Sequence, residues 1–215
     1  MPRTIKIFTT SGSDFFQWKS YYDRLEKKCI YHAPEYIRFL EKHYGDRAEL
    51  FIYGDEDQYV YYPYFKKRLD SLPFAGAYGF DLSNYYDITS SWYYGGPLTN
   101  KSGMSLPGDF IKKFGEHARK RGIVCEFIRF DANLENHRLY NEDMVVLDRE
   151  TVFVALDVNE DFTNDFGNDN RRRIKNIKKH NKYSVIEVDD SDNESWEFFR
   201  RIYSSEMRRK NASHH

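Results

Sequence analysis

Two apolar runs separated by a short polar stretch restrict the fold of this chain more than any other feature. The runs read AELFIY and YVYYPYF, and the residues between them are GDEDQ. Runs of this length around a cluster of turn-forming residues are typical of a β-hairpin. We therefore predict a hairpin over residues 48–69. Proline has no N–H for a sheet ladder, so Pro63 favours a strand end, a sheet edge or a bulge.

Strand-like and helical patterns alternate through the first 158 residues. The spacing of apolar residues predicts strands in TIKIFTT, in IVCEFIRF and, twice, in MVVLDRETVFVALDV. It predicts helices in SGSDFFQWKSYYDRLEKK, APEYIRFLEKHYG and PGDFIKKFGEHARKRG, with Ser13 as the cap of the first. Residues 70–106 are predicted to form a loop region. This alternation indicates an α/β or α+β fold in which helices flank a mixed sheet.

The run IVCEFIRF is apolar almost throughout. Strands that are buried on both faces have this composition, so we predict a position inside the sheet, with Cys125 as a small buried hydrophobe. Cys29, the second cysteine, is far away in the sequence, and the two suggest no disulfide framework. The histidines are scattered without the spacing of metal ligands, so no metal site is predicted.

The composition changes near residue 158, where the chain becomes polar and basic. We predict a first domain over residues 1–158 and the start of a second over residues 159–215. The second part contains a helix through Ile174 and Ile177, a short strand in SVIEV and a helix in NESWEFFRRIYSSEMRRKNASHH. Because this strand–helix pattern stops as a new layer begins, we expect the natural protein to continue.

Charge and hydropathy argue against two classes of protein. The net charge of −1 argues against a protein that coats nucleic acid, and no DNA partner is expected. No stretch approaches the roughly 18 apolar residues of a membrane span, and the N-terminus lacks the apolar core of a signal peptide. We expect a soluble, cytoplasmic protein without a transmembrane segment. The 18 Tyr and 17 Phe fit either a tyrosine-rich cleft or a tyrosine-rich core margin.

The segment DITSSWYYGGP, residues 87–97, combines polar, aromatic and glycine residues. Its adjacent glycines lack the spacing of a phosphate-binding or dinucleotide-binding loop. One interpretation is a tight turn with glycines at positive φ. The other is a pocket with a polar floor of Asp87, Thr89, Ser90 and Ser91, although these side chains could equally satisfy loop backbone groups. No His or Lys lies at an offset diagnostic of a nucleophilic triad, so no catalytic residue is assigned.

The basic stretch NRRRIKNIKKHNK carries the strongest charge signal in the chain. One interpretation is contact with phosphate, in a nucleotide diphosphate, a lipid pyrophosphate or an RNA backbone. The other is a solvated helix face, because charge runs usually have that role. Both interpretations stay open at this point.

Several stretches, in their order along the chain, resemble the FemAB-like branch of the GCN5-related N-acyltransferases, which includes peptidoglycan-bridge aminoacyltransferases. These stretches are a Trp-containing N-terminal helix, AELFIYGDEDQYVYYPYFKKRL, YYDITSSWYYGGPL, GIVCEFIRFDANLENH, NRRRIKNIKKHNKYSVIEV and FFRRIYSSEMRRKNA. The resemblance covers nearly the whole chain. It implies two tandem acyltransferase-type domains, with the first in residues 1–158 and the opening helices of the second in residues 159–215.

The resemblance implies transfer of an acyl or aminoacyl group to an amine of a cell-envelope precursor, small or lipid-linked, or of a polysaccharide sugar. No covalent enzyme intermediate and no tightly bound cofactor are expected, and acyl-coenzyme A or an aminoacyl-tRNA would be the co-substrate. One alternative is an acetyl-coenzyme A-dependent sugar N-acetyltransferase. The other is a non-catalytic, substrate-binding half of a larger enzyme, because the donor site of Fem-like members belongs largely to the second domain.

By position, the resemblance assigns substrate binding to residues in a loop and in two helices. They are Tyr93, Tyr94, Gly95, Gly96, Arg173, Lys178 and Arg209. Tyr94, Gly95 and Gly96, with Pro97, match the family's loop beside the acceptor cleft, and Arg209 matches an arginine suited to an anionic acceptor group. Tyr93 precedes this loop and is, like Tyr94, available to a substrate. We expect the loop to line a cleft against the helix at 170–180 or the helix at 196–210.

Overall fold

The predicted hairpin is confirmed and forms the centre of a six-stranded sheet. The computed structural model describes residues 2–77, 79, 81–101, 107–151, 166–180, 184 and 186–212. Strands β2 (Arg47–Gly54) and β3 (Tyr59–Arg68) pair antiparallel. The Asp55 carboxylate closes the turn between them by accepting hydrogen bonds from two backbone amides. Strand β1 (Thr4–Thr9) pairs antiparallel with the other side of β2, as the TIKIFTT pattern predicts.

The other half of the sheet contains a parallel pair of strands. Strand β4 (Tyr86–Thr89) pairs antiparallel with the end of β3, and β6 (Ile123–Phe127) pairs parallel with β4. The short strand β5 (Leu98–Thr99) pairs with the start of β3. The order β1-β2-β3-β4-β6 confirms a mixed sheet and the α/β class. The prediction of a loop region over residues 70–106 was wrong, because β4 and β5 lie in it and are too short to show a period.

Pro63 lies inside β3 and not at its end, yet its position suits its missing N–H. Tyr59 uses both its N–H and its carbonyl to bond with Asn100, so the backbone of Tyr59 faces away from β2. Because backbone direction alternates along a strand, Pro63 faces the same way. In the described chain, that side of β3 has a gap in pairing between β5 and β4. The proline therefore occupies a local edge and breaks no ladder bond.

The chain divides into two compact units, Met1–Thr151 and Val152–His215. Three helices of the first unit cover both faces of its sheet: α1 (Gly12–Asp23), α2 (Pro34–Tyr44) and α3 (Pro107–Lys120). Side chains of α1 and α2 pack on one face with Leu50, Ile52, Tyr59, Tyr61, Phe65 and Leu98. Side chains of α3 pack on the other face with Phe51, Tyr53, Val60, Tyr62, Tyr64 and Ile88.

The helix ends follow the sequence signals with one exception. Helix α2 begins at Pro34 and ends at Gly45, whose φ of 79° is left-handed, as predicted. Ser13 is not the cap of α1, because Ser11 precedes the helix and Ser13 lies in its first turn. The Asp14 carboxylate ties this end to β1 instead, by accepting bonds from the amide and the hydroxyl of Thr9.

Four tyrosines of β3 are buried, and each hydroxyl group has a hydrogen-bond partner. Tyr59 donates to the Tyr21 carbonyl and Tyr61 to the His32 carbonyl, each over 2.7 Å. On the other face, Tyr62 donates to Glu126 and Tyr64 to Glu49. Burial of a hydroxyl is favourable only when it is bonded. The contacts of Tyr59 and Tyr61 therefore hold α1 and the segment before α2 against β3, and those of Tyr62 and Tyr64 join β3 to other strands of the sheet. The tyrosine content therefore serves the core here more than a cleft.

Strand β6 corrects two predictions. It is an edge strand that pairs with β4 alone among the described strands, and Val124, Cys125 and Phe127 are exposed. The predictions of a sheet-interior strand and of a buried Cys125 were therefore wrong, because a continuous apolar run does not specify an interior position. Residues 145–151 form no strand, against the first of the two predicted there, and the second falls on residues 152–158, outside the described residues.

The second unit contains two helices that the sequence predicts. They are α4 (Asn168–His180) and α5 (Asn193–Arg209). The strand predicted in SVIEV is absent at the described residues 184 and 186–188, so that prediction was wrong there. The apolar side of α5 is largely exposed, with Trp196, Phe199 and Tyr203 among its members. None of the described helices is long and apolar enough to cross a membrane.

Candidate functional site

A concave pocket of about 340 Å³ lies where the parallel strands β4 and β6 end. In open α/β sheets, ligands bind in the crevice beyond the carboxyl ends of the strands. The volume falls at the lower end of the range of small-molecule sites, which begins at about 300 Å³. The pocket is lined by Leu40, Tyr44, Asp46, Phe65, Lys67, Thr89, Ser90, Ser91, Trp92, Phe127 and Arg129.

The sheet register places the floor of the pocket. Phe65, Thr89 and Phe127 stand side by side on β3, β4 and β6. Ile88 belongs to the core on the α3 face, so Thr89, the next residue, faces the side covered by α1 and α2. Helix α2 contributes Leu40 and Tyr44 to the wall above this floor. The pocket is therefore enclosed by α2 and the exposed end of the sheet.

The loop after β4 forms a second wall. Ser90 continues the ladder, since its amide donates to the Phe127 carbonyl over 3.1 Å and its hydroxyl accepts from the Arg129 amide over 3.2 Å. The chain then leaves the sheet and returns at Gly95, which forms a bridge with Phe130. The Ser91 hydroxyl donates to the Tyr94 carbonyl across the loop. Ser90 and Ser91 thus line the pocket and also satisfy loop backbone groups.

Two aromatic rings form the rim of the pocket. The rings of Tyr44 and Trp92 stack with centroids 5.3 Å apart and planes at 4°. Their exposed fractions, 43% and 52%, leave ring surface free for a ligand. The Nη1 atom of Arg129 donates a hydrogen bond to the Trp92 carbonyl over 3.4 Å and so helps to hold the backbone that carries the Trp92 ring. Such rings stack on planar or apolar parts of a ligand.

The pocket has three charged side chains. Lys67 and Arg129 are its cations, and Asp46 is its one carboxylate. Within the described part of the chain, neither Asp46 nor Lys67 forms a hydrogen bond or an ion pair through its side chain. Their charges are therefore available to a ligand.

A smaller hollow of about 220 Å³ at the β1 edge is a weaker candidate. It is lined by Pro2, Thr4, Lys6, Tyr21, Ile52, Gly54, Asp55 and Glu56. The Lys6 ammonium group already donates to the Tyr21 hydroxyl, and Asp55 is occupied by the hairpin turn. Fewer free polar groups remain there to recognise a ligand.

Gly95 and Gly96, predicted to contact substrate, are buried inside the first unit. A Cβ on Gly95 would lie 2.7 Å from Ser90 Cβ, and one on Gly96 would lie 2.9 Å from Ile128 Cγ2. Gly96 also has a φ of +94°, which favours glycine. The side-chain amide of Asn136 donates to the Gly95 carbonyl over 2.8 Å. Because these two glycines lack a Cβ, side chains of the protein itself pack closely against the loop backbone. We therefore expect the glycines to determine the shape of the loop.

Tyr93 and Tyr94, the aromatic pair of the same predicted site, lie outside the pocket lining. Their rings contact Tyr31, with centroid distances of 5.7 Å and 5.5 Å. Tyr31 also contacts Tyr36 of α2. Tyr93 is exposed and Tyr94 is half-buried, so a role for either in substrate binding stays a prediction.

The loop is fastened to the segment before α2 by a histidine that the sequence did not single out. His32 is fully buried, and its Nε2 atom lies 3.1 Å from the Gly96 carbonyl oxygen. A carbonyl can only accept, so Nε2 carries the proton and Nδ1 accepts from the Cys29 thiol, 3.1 Å away. Burial lowers the pKa of His32 to about 4 and raises the pKa of Cys29 to about 11. Both directions favour a neutral pair with a structural role over an activated nucleophile.

The remaining predicted site residues lie in the second unit. Arg173 and Lys178 are exposed on α4, and Arg209 is exposed on α5, where it forms an ion pair with Glu206 at 2.9 Å. The structure thus places these three on helices, as predicted. Their contact with the loop stays a prediction.

Most of the charged and aromatic pocket residues carry no signal in the sequence that marks them as functional. Asp46, Lys67 and Arg129 come from three separate segments, and only the strand register brings them together. Tyr44 lies near the end of the helix predicted in APEYIRFLEKHYG, and nothing in its neighbourhood distinguished it. Thr89, Ser90 and Ser91 were proposed as a polar floor and do line the pocket, whereas Asp87 does not. Among the described residues, no three His, Cys, Asp or Glu side chains are grouped to hold a metal ion.

Comparison with known proteins gives no indication of function, so the geometry of this site is the main guide to it. No protein-family model, no curated protein and no solved structure matches the chain.

Proposed function

We propose that this chain is an acyl- or aminoacyltransferase-type protein that binds its substrate in the pocket at the ends of β4 and β6. The observation that carries the proposal is the pocket itself, with its free charges, its hydroxyl groups and its aromatic rim. The resemblance of the sequence to FemAB-like N-acyltransferases supplies the reaction class. The acceptor would be an amine of a cell-envelope precursor or of a polysaccharide sugar.

Direct acyl transfer requires that the protein orients the two reactants, and it does not require a nucleophilic side chain. In direct transfer the amine nitrogen attacks the acyl carbon, a C–N bond forms, and the C–S bond of a thioester or the C–O bond of an ester breaks. The amine loses one proton, and the leaving thiolate or alkoxide gains one. The hydroxyl groups of Ser90 and Ser91 are bound to loop backbone groups, so neither is paired with a base. Holding the two reactants together accounts for much of the rate in such reactions.

The same proposal extends to the co-substrate and to the second unit. Acyl-coenzyme A or an aminoacyl-tRNA would supply the acyl group, and both occur in the cytoplasm, where we place the reaction. Helix α4 carries six Lys and Arg residues and one Asp, which suits contact with the phosphates of either donor. Arg173 and Lys178 are its proposed contacts, and Arg209 on α5 is proposed to bind an anionic group of the acceptor.

Amide formation tests this proposal. We would incubate the chain with acetyl-coenzyme A or alanyl-tRNA, offer glucosamine or a nucleotide-linked sugar peptide, and detect the amide by mass spectrometry. We expect amide with at least one pairing. Arg129→Gln should lower kcat/KM about tenfold, because a hydrogen bond to a charged group contributes about 1.5–3 kcal/mol.

Arg149→Gln is the matched control, because Arg149 is exposed and lies outside the pocket lining. It should leave kcat/KM unchanged. Absence of amide with every pairing, or equal rates for Arg129→Gln and the wild type, would contradict the proposal. Binding of an acceptor at the pocket without any transfer would support the non-catalytic, substrate-binding alternative.

A further inference from the structure

The three charges of the pocket are ordered across the sheet. Gly45 caps α2 in a left-handed conformation, and Asp46 follows it directly before β2. Asp46 is thus next to Arg47, which pairs with Lys66 at one end of the hairpin. Lys67 follows directly on β3. Arg129 lies two residues beyond the end of β6, on the far side of β4. The order across the pocket is therefore one negative charge followed by two positive charges.

The spacing of the strands sets the scale of this pattern. Neighbouring strands are about 4.8 Å apart, so roughly one spacing separates the backbone of Asp46 from that of Lys67. Lys67 and Arg129 are two strands apart and are also offset by about 13 Å along the strands, because Lys67 lies two residues to one side of the row formed by Phe65, Thr89 and Phe127 and Arg129 two residues to the other. Thr89 lies on β4, between the two cations, and presents a hydroxyl group on the same face. An anionic group over Thr89 would be flanked by Lys67 and Arg129. A cationic group on the β2 side, about two strand spacings from Thr89, would meet Asp46.

None of the three charges is neutralised by a neighbour in the described part of the chain. Asp46 and Lys67 are next to each other but form no ion pair within 4.0 Å, and Arg129 bonds only to the Trp92 carbonyl. Asp87 stands opposite Lys67 in the β3–β4 register, but it does not line the pocket and forms no ion pair with Lys67. A ligand of complementary charge would satisfy all three groups at once.

We infer that the substrate of this pocket carries an amine and an acidic group, a carboxylate or a phosphate, a few bonds apart. Asp46 binds the amine as its ammonium form, and Lys67, Arg129 and Thr89 bind the acid. Before the nitrogen attacks, the ammonium group must give one proton to water or to the Asp46 carboxylate, since only the neutral amine has a free electron pair. The inference rests on the proposed function, because this amine is the acceptor of the acyl group. Asp46 is then a specificity-determining residue, since a molecule that has the acidic group but lacks the amine leaves the Asp46 carboxylate without a partner.

Nuclear magnetic resonance of the tryptophan side chains can test this in the full chain. The three tryptophans report on different places: Trp92 on the pocket rim, Trp18 on the core and Trp196 on the second unit. We would titrate 4-aminobutyrate, butyrate and butylamine and follow the indole N–H signals. The Trp92 signal should shift with 4-aminobutyrate, which should bind about fivefold more tightly than butyrate or butylamine, because a partly exposed ion pair contributes up to about 1 kcal/mol.

Two variants separate the two ends of the ligand. Asp46→Asn should remove the advantage of 4-aminobutyrate over butyrate, and Arg129→Gln should remove its advantage over butylamine. Glu142→Gln, at an exposed residue outside the pocket, should change neither. Unchanged Trp18 and Trp196 signals show that each variant is folded. O-phosphoethanolamine distinguishes the acids: tighter binding than 4-aminobutyrate assigns a phosphate, and weaker binding assigns a carboxylate.

Equal affinities of 4-aminobutyrate and butyrate for the wild type would overturn the inference, as would an Asp46→Asn variant that keeps the preference for the amine. The proposed function fails by a different result. If amide forms in the transfer assay while the amine preference is absent, the inference is wrong and the proposed function stands. If Trp92 responds to the amino acid but no amide forms, the charge pattern stands without the transfer reaction.

Discussion

Gly96→Ala is expected to lower the free energy of unfolding of the first unit by about 3 kcal/mol, the sum of backbone strain and overpacking. The φ of Gly96, +94°, is unfavourable for alanine, and the new Cβ would lie 2.9 Å from Ile128 Cγ2 and 3.1 Å from Asn136 Nδ2. Asn136 cannot move freely, since it is buried and bonded to the carbonyls of Gly95 and Pro97. Urea unfolding followed by tryptophan fluorescence measures the change.

Gly115→Ala is the control for this substitution. Gly115 lies within α3, where the nearest atom to a new Cβ is Arg119 Nη2 at 3.9 Å. Alanine in a helix interior is favoured over glycine by roughly 0.5–1 kcal/mol, so this variant should be as stable as the wild type or more so. If Gly96→Ala and Gly115→Ala have the same free energy of unfolding, the loop is not held as tightly as its contacts indicate.

Acidification is expected to destabilise the protein through His32. Burial lowers the pKa of His32 from 6.5 to about 4, so between these values the unfolded chain binds a proton that the folded chain does not. The free energy of unfolding therefore rises with pH across this window. The contribution of His32 is fully present above about pH 7 and is lost as the pH falls towards 4. The difference of about 2.5 pKa units corresponds to roughly 3 kcal/mol. Thermal or urea unfolding between pH 4 and pH 7 measures it.

Other groups titrate in the same range, so the comparison with a variant isolates His32. Burial raises the pKa of Glu126, which gives a pH dependence of opposite sign. In His32→Gln the slope of stability against pH should be smaller than in the wild type, at a lower overall stability. His43→Gln, at an exposed histidine, should keep the wild-type slope. Parallel curves for the wild type and His32→Gln would show that His32 does not carry the effect.

The fold could be predicted from the sequence where a periodic pattern was long enough. The β2–β3 hairpin and helices α2 and α3 are elements of eight residues or more, long enough for their patterns to show. Strands β4 and β5 have four and two residues, which is too short for a period to show. The apolar run of β6 indicated a strand but not its place, because pairing partners at an edge are decided by the rest of the sheet.

The candidate site could be predicted only in part, for a related reason. Thr89, the last residue of β4, is followed directly by Ser90 and Ser91, so the sequence itself showed these three polar residues together. Asp46 and Arg129 are 83 positions apart, and only the strand order brings them to one pocket. The role of His32 depends on its burial against Gly96, which no local pattern indicates.

The response of the Trp92 indole N–H signal to ligands tests the central claim most directly. The claim is that the pocket at the ends of β4 and β6 binds the substrate of an acyl transfer reaction. We predict that a coenzyme A thioester or a nucleotide-linked sugar peptide shifts the Trp92 signal of the full chain in a saturable manner and leaves Trp18 unmoved. The shift should weaken in Arg129→Gln. A titration in which both ligands leave Trp92 unchanged, or shift Trp196 alone, would contradict the claim.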